Sequence, residues 1–278
     1  MAEFFSLQSK IRHADWPYIL QTFLFYFVLV AIGHLIFSEG AYTIYLLTVT
    51  LFFILLSQFH VYRLSVAERE HLQYKTQVLN EIYKFLPVRA PLPPMTGWAA
   101  TPELSAFLLK AIQKYRPATI VEIGSGITTL ISGYSLEKHN IDGKIISLDH
   151  DPLFASKTED EVKLHGLSDK VEIRVAPLEM VTIENEEWLW YSTDQIKFEK
   201  PIDLLVVDGP PVKTQKNARY PALPLLYDHL SEHAVVIMHD TNRSEETEII
   251  KLWIEKFEEF TVEKFHSEKG ITLFKRGF

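Results

Sequence analysis

Hydrophobic positions follow two regimes along this chain. From Pro17 to Phe37, and again from Ala41 to Phe59, they run nearly unbroken and contain no Asp, Glu, Lys or Arg. Beyond Trp98 they come as short apolar runs separated by charged stretches of helical period. Each early run is close to the ~20 residues that cross a bilayer as a helix. Only Ser38-Glu39-Gly40 separates the two. Residues 1–59 are therefore expected to form a tail and an antiparallel transmembrane hairpin, since backbone polar groups inside lipid must be satisfied within the segment. A cleaved signal peptide is the rival for the first run, but a second apolar run follows where a cleavage site would stand.

Flanking charge sets the expected orientation. Lys10 and Arg12 precede the first run, and Arg63, Arg69 and Lys75 follow the second, whereas the turn carries only Glu39. Positive charge on both outer flanks predicts both termini, and the rest of the chain, on the cytoplasmic side of a lipid bilayer. Residues 60–97 read as a charged helical stalk ending in a linker with Pro87, Pro91, Pro93 and Pro94. Leu72, Leu79 and Leu86 stand at seven-residue spacing. That leaves two readings open: a homo-oligomer through the stalk, or a helix packed on its own domain.

Residues 98–278 alternate strand and helix patterns. Strands are expected at 119–123, 144–148, 171–175, 202–207 and 234–238, with helices near 127–138, 152–166, 220–231 and 244–257. The segments 260–266 and 271–275 read as a terminal hairpin. The predicted class is α/β, a doubly wound, mostly parallel sheet with that antiparallel hairpin at its end. Ligands of such sheets bind beyond the carboxyl ends of the strands. The net charge of −8 and the absence of a basic cluster exclude nucleic acid as the main partner. With no cysteine, disulfides, thiolate metal sites and cysteine nucleophiles are excluded as well.

The chemistry-bearing residues follow the strands. Glu122 leads into Gly124-Ser125-Gly126, which opens a helix at Ile127-Thr128-Thr129. Glycines there allow positive φ and close approach of a ligand, and the helix start offers free N–H groups. A dinucleotide fingerprint would put a third glycine where Thr129 stands. Glu122 suits a cationic ligand better than a pyrophosphate. Asp149 ends the second strand, placed to bind ribose hydroxyls, while Asp151 before Pro152 is the better helix cap. Asp208 ends the fourth strand, and His239 and Asp240 end the fifth. These three are candidates for converging on one site.

Together, VEIGSG at 121–126, SLDHD at 147–151, LLVVDGPP at 204–211, ARYPALPLL at 218–226, MHDTNR at 238–243 and the terminal hairpin resemble class I S-adenosylmethionine-dependent methyltransferases. The resemblance implies S-adenosylmethionine as cofactor. It places Glu122, Gly124, Ser125, Gly126 and Thr128 at the methionine moiety, Asp149 at the ribose, and His150 and Leu178 near the adenine. Asp208 would face both cofactor and acceptor. The Asp that many relatives carry near Pro177 is missing here. Asp208, His239 and Asp240 are the catalytic candidates, with His239 as a general base or the carboxylates on a divalent metal as open alternatives. Lys213 and Arg219 are expected to hold the acceptor: a small molecule, glycan or lipid-linked compound methylated at oxygen. The competing functions are an NAD-dependent oxidoreductase and a non-catalytic, membrane-tethered scaffold.

Overall fold

The computed structural model describes residues 20–97 and 99–278. The flanking residues Lys10 and Arg12 and the domain-edge Trp98 lie outside them. The chain divides into two units, Met1–Gln77 and Val78–Phe278.

In the first unit, helix α1 (Leu20–Ile36) turns back tightly into helix α2 (Glu39–Phe85). The Tyr45 hydroxyl donates to the Leu29 carbonyl (2.9 Å), and the hydroxyls of Tyr26 and Thr50 pair at 3.1 Å. Gly33 lies flat against the Tyr45 ring, where any Cβ would collide with it. Small residues permit such close helix approach. Apolar side chains such as Phe23, Leu24, Ile44 and Leu51 point outward. Among the described residues, α2 is the one helix long and apolar enough to cross a membrane, and α1 is shorter. Of the two expected spans, the described helices thus supply one that meets the length, because the first run begins before Leu20.

The second apolar run and the stalk are a single helix of 47 residues. No proline or further glycine interrupts it before Pro87, so nothing forces a break. Its end belongs to the second unit. Val78, Ile82 and Leu86, four residues apart, are buried there. The Phe85 ring meets His139 at the end of α4 (Ile127–Lys138). That segment packs on its own domain, whereas Leu72 is exposed.

The second unit holds a seven-stranded sheet in the order β3-β2-β1-β6-β7-β9-β8. Strands β1 (Thr119–Ile123), β2 (Lys144–Asp149), β3 (Val171–Val175), β6 (Ile202–Val207) and β7 (Leu230–His239) run parallel. β9 (Ile271–Lys275) inserts antiparallel between β7 and β8 (Thr261–Phe265). Central strands are covered on both faces, as their continuous apolar runs require. On one face Val121, Leu205, Val236 and Met238 meet the short α6 (Ala222–Leu226) and α7 (Ser244–Lys256). The alternate residues Ile120, Leu204, Val206 and Ile237 are buried on the other, where α3 (Pro102–Tyr115), α4 and α5 (Pro152–Leu164) lie. Thr101 caps α3 by accepting from Leu104 N, and Asp151 caps α5 by accepting from Leu153 N, with Pro152 behind it.

Two features differ from the expected pattern. The chain between β3 and β6 forms a separate hairpin, β4 (Leu178–Ile183) and β5 (Glu186–Tyr191). Its two-residue turn, Glu184-Asn185, has φ of 51° and 71°, the left-handed pair of a type I′ turn. Trp190 and Tyr191 at its end are buried in the core. The helix expected over 220–231 shortens to α6 and a 3-10 turn, Tyr227–His229.

Trp253 of α7 is fully buried and donates its indole N–H to the Tyr220 carbonyl (3.0 Å). Trp253→Ala is expected to cost about 3–5 kcal/mol, seen as a lower denaturation midpoint. A change below about 1 kcal/mol would mean that this face is not packed as described.

Candidate active site

A cleft of about 540 Å³ opens where β1 and β6 end. Its floor is the turn from Gly124 to Thr128 together with Asp208, and Pro93 and Pro94 of the linker contribute to its wall. Gly124 has φ of 102°, and a Cβ there would sit 3.4 Å from the carbonyl carbon of Asp208. At Gly126 a Cβ would meet nothing within 4 Å, so this residue faces open space. The charged side chains of the lining are Asp160, Glu161 and Asp208 against Lys157 alone. The cleft is acidic and suits a cation.

Glu122 departs from its expected place. It is fully buried and absent from the cleft wall. Its carboxylate lies against α4, accepting from Thr129 Oγ1 (2.6 Å) and Ser132 Oγ (3.3 Å). Burial pushes its pKa up to about 7, although the hydroxyl bonds pull the other way. It supports the turn from behind: Thr129 Oγ1 also accepts from Gly126 N (3.2 Å). The position where a dinucleotide fingerprint needs glycine is thus filled by a side chain holding the loop.

Asp149 is buried at the end of β2, and its carboxylate is occupied. Oδ2 accepts from Ser125 Oγ (2.6 Å) and Ser125 N (3.3 Å), and Oδ1 from Asp151 N (3.0 Å). The Ser125 hydroxyl also pairs with Thr158 Oγ1 (3.0 Å), which lines the cleft. A diol reaching Asp149 would exchange with that serine hydroxyl. His150 stands next along the chain, part-exposed, its ring edge-on to Tyr191 at 6.0 Å. Leu178 starts β4, half-buried against the core.

Asp208, His239 and Asp240 do converge, with ligand-type atoms within 4.8 Å of one another. Asp208 Oδ1 accepts from His239 Nδ1 (2.9 Å) and faces Arg219 at 3.3 Å. Burial by itself would raise the Asp208 pKa, but His239 and Arg219 together hold it below the ordinary carboxylate value. His239 is fully buried behind Asp208 and does not line the cleft. Of the three, Asp208 is the one that lines the cleft.

The two acceptor-binding candidates part company. Lys213 is exposed on a short 3-10 turn, Val212–Thr214. Arg219, expected at the acceptor, is instead buried, with both terminal nitrogens hydrogen-bonded. It donates to the carbonyls of His239 (3.0 Å) and Asp208 (2.9 Å) and to Asp240 Oδ2 (2.9 Å). Burial alone would lower its pKa, but Asp208, Asp240 and Glu246 hold it above the usual value.

Sequence reasoning missed Tyr191 altogether. It is fully buried, and its hydroxyl stands where any side chain on Gly209 would collide with it. Burial first, then Asp149 and Asp208, push its pKa up, so it stays protonated. The unrecognised hairpin hid it. Only the alternation of Trp188, Trp190 and the residues before Asn185 signalled a strand there.

The stretch from β1 to the end of β7 matches a known family model, described as a methyltransferase domain, over residues 121–241. No curated protein matches the chain. Among solved structures it is similar to the methyltransferase PaMTH1 of Podospora anserina bound to SAH. The identity is 15%, the TM-score is 0.54, and the match covers 76% of this chain and 95% of that one. It is also similar to a Bacillus cereus O-methyltransferase in complex with SAH. There the identity is 17% and the TM-score 0.48, over 72% of this chain and 90% of the other. The PaMTH1 likeness shows the fold that the second unit adopts.

Glu122 makes the domain pH-sensitive. A buried acid whose folded pKa is raised to about 7 stabilises fully below its ordinary value near 4.5 and loses that contribution as pH rises through 7. Wild-type stability should fall by on the order of 3 kcal/mol over that window. Glu122→Gln should flatten the slope in urea denaturation series between pH 4.5 and 7.5. An unchanged slope would place the titrating group elsewhere.

Proposed function

We propose that this protein is an S-adenosylmethionine-dependent methyltransferase, held at a membrane by its N-terminal helices, that methylates an oxygen of a small-molecule, glycan or lipid-linked acceptor. The observation that carries the reading is the acidic cleft over the Gly124–Thr128 turn, set in a methyltransferase domain at the strand ends. The residues present fit this cofactor. Three carboxylates against one lysine suit a positive sulfur, Gly126 leaves room at the floor, and Asp149 with Ser125 offers a hydroxyl-recognising pair.

Gly124, Ser125, Gly126 and Thr128 hold the amino-acid end through the free N–H groups of the α4 start. Asp149 takes the ribose, and His150 and Leu178 border the base. When bound, the cofactor supplies a methyl carbon activated by the adjoining sulfonium for in-line displacement. The protein's task is to align the acceptor oxygen with that carbon and to take its proton. Asp208 does so at the floor of the cleft. Its Oδ1 is held by His239 and Arg219, which leaves the other carboxylate oxygen for the acceptor hydroxyl. The proton passes onto that free oxygen of Asp208, while His239 Nδ1 goes on donating to Oδ1. Lys213, exposed beside this loop, adds positive charge near an anionic group on the acceptor. No step needs a metal.

The apolar α2 and the outward-facing side chains of α1 support the anchor, and the flanking basic residues support two passes with a cytoplasmic domain. An NAD-dependent reaction is disfavoured because Thr129, committed to Glu122, stands where the third glycine would be.

Isothermal calorimetry on the full chain in detergent should show S-adenosylmethionine and SAH binding. Asp149→Ala should weaken both at least ~10-fold, the loss of a charge-assisted bond. Absence of binding by folded protein, or an unaltered affinity in the variant, would defeat the assignment.

A further inference from the structure

By donor type and spacing, Asp208, His239 and Asp240 look like a place for a divalent cation. We infer that Arg219 is the resident cation of this cluster, a positioning residue whose guanidinium fills that place and leaves the centre closed to a metal.

Three observations converge. The guanidinium reaches both carboxylates, 2.9 Å from Asp240 Oδ2 and 3.3 Å from Asp208 Oδ1. It is almost completely buried, as is Asp240. A divalent ion on the same oxygens would face a fixed positive charge at close range with little water between them. Arg243 adds a second positive group 3.0 Å from Asp240 Oδ2. One of the donors is also spent internally. His239 Nδ1 gives its proton to Asp208 Oδ1, so that nitrogen has no lone pair left for a metal while the bond stands.

The fork also has a geometric effect. Arg219 binds the main-chain carbonyls of Asp208 and His239 as well as the side chain of Asp240. One planar group thereby fixes the end of β6 to the end of β7 and sets the carboxylate of Asp208 against His239. A lysine supplies the charge but not the planar fork. Nearby Glu246 has both carboxylate oxygens buried without a hydrogen bond and keeps only the 3.8 Å approach of Arg219 Nε and the 3.5 Å approach of Arg243. The arginine thus answers to three acids at once.

This inference interprets the same site as the proposed methyl transfer, but its test measures cation binding and uses neither cofactor nor acceptor. A failure here therefore leaves the calorimetric result standing, and the converse holds. The full chain in detergent is titrated with Mn2+ and followed by electron paramagnetic resonance. Wild type and Arg219→Lys are expected to show no bound Mn2+ that Asp208→Asn abolishes. Arg219→Met, which removes the charge and keeps much of the length, should gain one site at least ~10-fold tighter than any in wild type. Adding Asp208→Asn to that variant should remove it. Wild-type protein that binds one Mn2+ dependent on Asp208 would overturn the inference, as would a folded Arg219→Met that gains nothing. Should Arg219→Met not fold, the wild-type and Asp208→Asn titrations alone decide.

Discussion

The backbone at Ile123 and Gly124 is where three strand ends are sewn together. Gly124 N donates to the Leu148 carbonyl (2.9 Å), and Asp208 N donates to the Ile123 carbonyl (3.0 Å). The turn follows this path because Gly124 adopts φ of 102°, a conformation that side-chain-bearing residues rarely take. That contact puts the start of α4, the end of β2 and the end of β6 around one opening. Glu122 below and Thr129 behind hold the turn from the buried side. A residue with a side chain at position 124 would strain the backbone at that φ.

Charge is distributed unequally across this edge of the sheet. The cleft itself is acidic, whereas the cluster beneath it is nearly balanced. Arg219 and Arg243 answer Asp208, Asp240 and Glu246. Buried ions persist when each has a partner. Here the pairing also orients a carboxylate toward the opening and keeps it ionised. Tyr191 closes the space between Asp149 and Asp208 from the hairpin side, and its fully buried, protonated hydroxyl adds no charge.

The sheet was legible because its strands are apolar runs whose ends carry Gly124, Asp149, Asp208 and His239. Period and punctuation both pointed to a parallel sheet with a terminal hairpin. The hairpin β4–β5 was not legible. Its left-handed turn uses Glu184-Asn185 rather than a glycine pair, and its outer residues alternate acids with apolar groups in a pattern open to several readings. Residue roles were harder than residue positions. Sequence shows that Glu122 precedes the turn but not which way a strand residue faces, and the pleat turned it under α4. Arg219 sits in a polar loop, where an arginine is expected at the surface. Only the fold shows that three acids from separate elements meet there.

Hydrogen exchange of the full chain with and without SAH tests the central claim most directly. The account predicts slower exchange at the amides of residues 124–128 and 149–151 when SAH is present, with the terminal hairpin unchanged. Equal exchange across both segments at saturating ligand, or protection confined to another part of the sheet, would contradict it.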